Sequence, residues 1–276
     1  MTSLSKNLFL QQFKVIASTF LYWFLFLLLL FLLSSQAGFL FSPKWKSFAY
    51  GLFGMLSAIV CTYFFCRLEK QSFKDIGLVW QAGTFFRFIK GFVLGSLLFI
   101  FILIILFTLI EIKIVTNPLK SSLLDMFWYL AIIPLALMEE IAFRSYAFLK
   151  LNKKFGLRTT QFIVCIAFAL YHILQGWNVS IAFLGPAVWA WVFGLAAVWS
   201  GGIALPTGIH VALNIWQPLT GMKTGNYYAA WLLDYPPVTT GKMMVAAEYA
   251  GVGIQIFVLV VAIILTEYYI RKRIGK

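Results

Sequence analysis

Two adjacent carboxylates, a guanidinium and two imidazoles are the reactive groups of an otherwise apolar stretch of this chain. Glu139, Glu140 and Arg144 stand in Met138-Glu139-Glu140-Ile141-Ala142-Phe143-Arg144-Ser145-Tyr146, at the end of the apolar run from Trp128 to Met138. The only histidines, His172 and His210, fall in the apolar segments Phe168-Ala169-Leu170-Tyr171-His172 and His210-Val211-Ala212-Leu213-Asn214. Charged side chains at bilayer depth cost on the order of 2.5–3.5 kcal/mol each on insertion scales, so a function is the default reading. On a helix Glu140 and Arg144 lie about 40° apart and can pair, whereas Glu139 lies roughly 140° from Arg144 and is left without a local cation. A carboxylate and an imidazole in a dry site can hold and deprotonate water. His210 and Asn214, four residues apart, share a helix face and can both donate hydrogen bonds to the oxyanion of a tetrahedral intermediate. That is equipment for amide hydrolysis without a protein nucleophile. A structural ion pair between Glu140 and Arg144 is the plainer alternative for those two residues alone.

These groups need membrane-embedded helices to hold them. Of 276 residues, 62% are hydrophobic and 11% charged, and mean hydropathy is +0.91. Soluble domains have about 45–50% apolar and 25% charged residues, so the chain reads as an all-α polytopic membrane protein. The net charge of +13 comes from basic residues beside apolar segments rather than on one face, which points to anionic lipid as the partner and not to nucleic acid. Cys61, Cys66 and Cys165 lie in apolar runs without paired metal spacing and read as free thiols.

Eight transmembrane helices are expected: Val15–Leu33, Phe48–Cys66, Ile89–Ile110, Leu123–Leu151, Phe162–Leu174, Val179–Trp199 with a kink at Pro186, Ile203–Leu219, and Gly251–Tyr269. Ser72–Lys90 reads as an interfacial segment, and residues 221–250, with Tyr227, Tyr228, Trp231 and Pro236-Pro237, as an interfacial loop. Eight spans put 15 Lys and Arg on the side of both termini and 6 on the other, with Arg144 inside, so both termini are expected in the cytoplasm. Residues 1–276 read as a single membrane domain with a catalytic core at about 123–219. Counted from the span ends, Glu139, His172 and His210 fall about 16, 21 and 10 Å deep, levels that one shared cavity would require.

Other hydrolytic arrangements fit less well. Cys165 is seven residues from His172, about 10 Å along a helix, too far for a thiolate–imidazole pair. Ser200 lacks the preceding glycine of a nucleophile turn, and no H-E-x-x-H is present. Glu139, His172 and His210 could still ligate zinc as a His₂Glu set, so zinc stays open as a cofactor while none is required.

The three polar elements resemble the CPBP family of intramembrane proteases, which includes the CAAX prenyl endopeptidases and the bacterial Abi-type relatives linked to bacteriocin processing and self-immunity. The pattern E-E-x-x-x-R, F-x-x-x-H and H-x-x-x-N appears in order as Glu139-Glu140-x-x-x-Arg144, Phe168-x-x-x-His172 and His210-x-x-x-Asn214. The resemblance covers residues 123–219. It implies an eight-helix endopeptidase in which Glu139 and His172 activate water and His210 and Asn214 form the oxyanion hole, with Glu140, Arg144 and Phe168 in support. The implied substrate is a membrane-associated peptide, prenylated or a precursor, and the implied location is a membrane, the plasma membrane in a bacterium. The competing function is a transporter or an immunity or scaffold protein that uses the buried charges as a proton or ion site.

Overall fold

The structure is a computed structural model and describes residues 3–42, 45–110, 112–119, 123–223, 227–234 and 241–275. Pro236-Pro237 lies outside them. The protein is 81% helical. Its helices are α1 (Ser3–Leu40), α2 (Lys46–Leu68), α3 (Thr84–Ile110), α4 (Leu123–Phe127), α5 (Ile132–Arg144), α6 (Tyr146–Leu174), α7 (Val179–Leu184), α8 (Pro186–Ser200), α9 (Ala204–Leu219) and α10 (Gly241–Ile274). The expectation of an all-α chain needs one amendment. β1 (Lys113–Thr116) and β2 (Trp231–Asp234) form a two-stranded antiparallel ribbon in which Lys113 faces Asp234. The expected loop 221–250 is correspondingly shorter, because α10 starts at Gly241.

Six helical segments among the described residues are long and apolar enough to cross a membrane. They differ from the eight expected for two physical reasons. One segment, Asp125–Leu174, is 50 residues long, about 75 Å if straight, against a hydrocarbon core of about 30 Å. It cannot run straight, and it does not. The Phe143 ring lies 5.0 Å from Phe168 and 5.4 Å from Tyr171, so two arms run antiparallel about a corner midway between them. Gly156 stands at that corner with φ +78° and ψ 170°, a conformation essentially reserved for glycine. The other reason is α9, which at 16 residues is about 24 Å long and shorter than an ordinary span.

Two expected helices are broken. Leu123–Leu151 divides into α4, a 3-10 turn at Trp128–Ala131, α5, and the start of α6, with Ser145 at φ −100°, ψ −111° between the last two. The Ser145 hydroxyl donates to the Ile141 carbonyl, the local competition with helical bonding that serines offer. Ending α5 there leaves carbonyls without helical partners. Tyr22 and Trp23 of α1 take them, Tyr22 Oη at 3.5 Å from the Ile141 oxygen and Trp23 Nε1 at 3.1 Å from that of Ala142. Val179–Trp199 breaks at Gly185, with Pro186 opening α8 as the expected kink requires. Thr84–Lys90, expected along the surface, is instead the first part of α3.

α5 packs against α2 and α9, and α9 lies between α5, α8 and α3. Glycines set the closest approach. A Cβ at Gly91 would sit 2.1 Å from the Leu205 oxygen, and one at Gly208 2.1 Å from that of Phe88. Small residues at such spacing let membrane helices touch backbone to backbone. The outward faces of α1, α3 and α10 are exposed and apolar, with Phe31 at 69%, Leu97 at 58% and Ile264 at 60%, as lipid contact requires.

Candidate active site

α5 and α9 bring the carboxylates and one imidazole into contact. Glu140 is fully buried. Its Oε1 accepts from His210 Nδ1 at 2.9 Å, and its Oε2 stands 3.5 Å from Arg144 Nε one turn along α5. Glu139 points to the other side of the same imidazole, with Oε2 3.6 Å from His210 Nε2. His210 is therefore flanked by a carboxylate at each nitrogen. A carboxylate can only accept, so the Glu140 contact fixes a proton on His210 Nδ1 and aims Nε2 at Glu139.

His172 reaches the same region from the far end of α6. Its Nδ1 lies 2.8 Å from the Phe168 carbonyl oxygen, again an acceptor only, so this ring also keeps its proton on Nδ1 and leaves Nε2 free. Phe168 joins the parts. Its ring centroid is 4.6 Å from that of His172 and 6.4 Å from that of His210, and the Arg144 guanidinium carbon sits 4.2 Å from it. Four-residue spacing thus gives Phe168 two uses, a carbonyl that orients His172 and a ring that supports it.

Arg144 is buried at 1% exposure and stands 5.2 Å from the Phe193 ring as well. None of its guanidinium nitrogens has a hydrogen-bond partner among the described residues. The aromatic faces and Glu140 compensate its charge, an arrangement that suits a planar guanidinium. Asn214 is half-buried, one helical turn beyond His210 on α9.

Glu139, Glu140, Arg144, Phe168, His172 and His210 are therefore gathered in one neighbourhood, with Asn214 a turn away. Glu139, without a cation on its own helix, has an imidazole nitrogen of α9 beside it. Several neighbours had no sequence signal. Phe193 stacks on His210 at 4.6 Å and 17°, the hydroxyls of Tyr50 and Tyr171 neighbour Glu139, and Trp177 stands 5.1 Å from His172 beneath Lys223 Nζ at 4.9 Å. Only Tyr171 was hinted at, by its place next to His172. Among the described residues no three His, Cys, Asp or Glu side chains are arranged to hold a metal ion.

Residues 120–216 match the Rce1-like family model, that of the type II CAAX prenyl endopeptidase Rce1-like proteins. Over that stretch the chain is similar to the Rce1-like type II CAAX prenyl endopeptidases. The matched stretch contains every residue of the three polar elements, from Glu139 to Asn214, and agrees with the resemblance read from the sequence. No curated protein and no solved structure matches the chain. The likeness supports a membrane protease, and the six apolar helical segments among the described residues support a multi-pass membrane protein.

Proposed function

We propose that the protein is an intramembrane endopeptidase that cleaves a membrane-associated peptide with water activated by Glu139. The observation that carries this reading is the run of contacts Glu140–His210–Glu139 inside the Rce1-like stretch. Among the described residues Glu139 Oε2 has no hydrogen-bond partner, so on this reading it is the atom that takes a proton from an attacking water. His172 offers its free Nε2 as a second acceptor that orients the water. His210 and Asn214 donate to the oxyanion formed as water adds to the carbonyl carbon. His210 can donate from Nε2 only as the doubly protonated ring, and the carboxylates on either side balance that charge. The proton held by Glu139 then passes to the leaving amine as the C–N bond breaks, giving a free carboxylate and a free amine. Glu140, Arg144 and Phe168 hold the histidines in place.

An apolar groove supports a substrate with a greasy attachment, prenylated or in a precursor peptide. It encloses about 510 Å³ and is lined by Ile133, Leu137 and Ile141 of α5 and Thr207 of α9, with Lys74 and Arg87 at its rim. Ile141 follows Glu140 and Thr207 precedes His210 by one turn, so the groove runs along the two helices that carry the carboxylates and the imidazole. The reading takes residues 1–276 as one membrane domain with its core at 123–219. Eight crossings follow if Asp125–Leu174 contributes two and α9 one. The asymmetry of basic residues then puts both chain ends in the cytoplasm, in a bacterium the cytoplasmic side of the plasma membrane. The test is cleavage of a farnesylated CAAX peptide and its unmodified counterpart by the full chain in proteoliposomes. Cleavage that disappears in Glu139→Gln supports the reading, whereas ion-dependent solute flux with no cleavage would replace it with transport.

A further inference from the structure

A second cavity, of about 700 Å³, opens where α1 begins, α2 ends and α6 approaches Gly156. Lys14, Lys150, Lys153 and Lys154 line it, against the carboxylates of Glu69 and Asp75. Both carboxylates are already committed. Glu69 Oε1 accepts from Tyr146 Oη at 2.7 Å and from Lys150 Nζ, which also reaches Tyr146 Oη at 2.9 Å. Asp75 turns onto Ser72, accepting from its N–H at 2.8 Å and its hydroxyl at 2.7 Å, and these bonds hold its carboxyl below the usual range. Among the described residues Lys154 Nζ meets Gln11 Oε1, at 2.9 Å, and no carboxylate. Four lysines against two carboxylates leave two positive charges facing the cavity.

The cavity also lies at a defined level. Helix α2 ends at Leu68, one residue before Glu69, and the uncharged apolar run of α1 starts at Val15, one residue after Lys14. The segment beyond α2 exposes Trp80 (79%), Phe85 and Phe86, aromatic rings of the kind that mark the head-group level. A phosphate monoester carries about −1.5 to −2 charges at pH 7, which matches the excess. We propose that this cavity binds the phosphate head group of a monoester phospholipid, of the phosphatidic acid type, from the surrounding leaflet. Tyr146 is the first residue of α6 after the Ser145 break, so the bound phosphate would sit against the helix start that follows Arg144. The proposal does not depend on the protease reading.

The test uses the full chain in dodecyl maltoside with added phosphatidic acid, phosphatidylglycerol or inorganic phosphate, and counts retained lipid by native mass spectrometry. One phosphatidic acid per chain is expected, held more tightly than phosphatidylglycerol. Binding should weaken about tenfold or more in Lys153→Gln/Lys154→Gln, two lysines lost from an anionic contact, and stay unchanged in Arg271→Gln/Lys272→Gln on α10. Equal weakening in both double variants would mean general charge attraction and overturn the site. Equal retention of the two lipids by the unaltered protein would overturn it without recourse to any variant. Displacement of phosphatidic acid by inorganic phosphate at equal concentration would make the site one for a free anion and overturn the lipid assignment.

Discussion

His210 and Glu140 join α9 to α5 through one hydrogen bond of 2.9 Å, and that bond settles which way the imidazole faces. The proton on Nδ1 belongs to Glu140, so Nε2 is what the ring presents to Glu139 and to a substrate. On the proposed mechanism the two neighbouring glutamates have different duties: Glu140 orients the ring and Glu139 acts on water.

Exchanging each glutamate for glutamine separates these duties. Glu139→Gln should abolish turnover of a CAAX peptide while the protein keeps its melting temperature in detergent. Glu140→Gln should lower both, because it removes the counter-charge of a buried Arg144, and breaking a buried ion pair typically costs about 3–5 kcal/mol. Full turnover in Glu139→Gln, with loss confined to Glu140→Gln and no change in stability, would reverse the assignment.

Asn214→Ala should reduce kcat by about 10²–10³ with little change in KM, the usual consequence of losing one oxyanion donor. A rise in KM alone would make Asn214 a substrate-binding residue. Metal content of the active protein bears on the same site. Stoichiometric zinc whose removal stops cleavage and whose return restores it would make Glu139, His172 and His210 the residues to test as ligands.

Gly91→Leu and Gly208→Val should each push α9 away from α3, since the first added carbon meets a carbonyl oxygen at 2.1 Å in both cases. Overpacking of this kind costs about 1–3 kcal/mol, and here it also moves His210. Reduced thermal stability together with reduced kcat is the expected outcome. Unaltered kcat at equal stability would mean that the position of α9 tolerates the shift.

A cysteine placed at Lys153, in a background lacking Cys61, Cys66 and Cys165, should be protected from an impermeant thiol reagent outside intact cells. Lys153 is exposed beside the Gly156 corner, so labelling reports topology and not burial. Labelling from outside would invert the orientation.

Much of this site was readable from spacing. The four-residue intervals of Glu140–Arg144, Phe168–His172 and His210–Asn214 are intervals on one helix, and helix geometry alone puts each pair on one face. The shared depth of three helices followed from counting rise per residue. Contacts between helices were a different matter. Nothing in the spacing of Phe193 distinguishes it from the other apolar residues of its helix, yet it lies flat on His210. The break at Ser145 was equally hidden, because it depends on a side chain competing for the Ile141 carbonyl and on α1 accepting the consequences. The two spans expected within Asp125–Leu174 merge into one helical segment that is too long to cross once, and the turn between its arms rests on one glycine, Gly156, in a stretch of good helix formers.

The carbonyls of Ile141 and Ala142 look to Tyr22 and Trp23, and α9 rests on Gly91, all of which lie outside residues 120–216. Excised and inserted alone into a bilayer, the matched stretch would leave the Ile141 carbonyl to the Ser145 hydroxyl and strip that of Ala142 of its Trp23 donor, in hydrocarbon where no water can replace it. Co-expression with a separate fragment carrying α1 to α3 should rescue it, as split membrane proteins reassemble when each half supplies the other's missing donors. The stretch by which the chain is recognised is shorter than the stretch that must fold together.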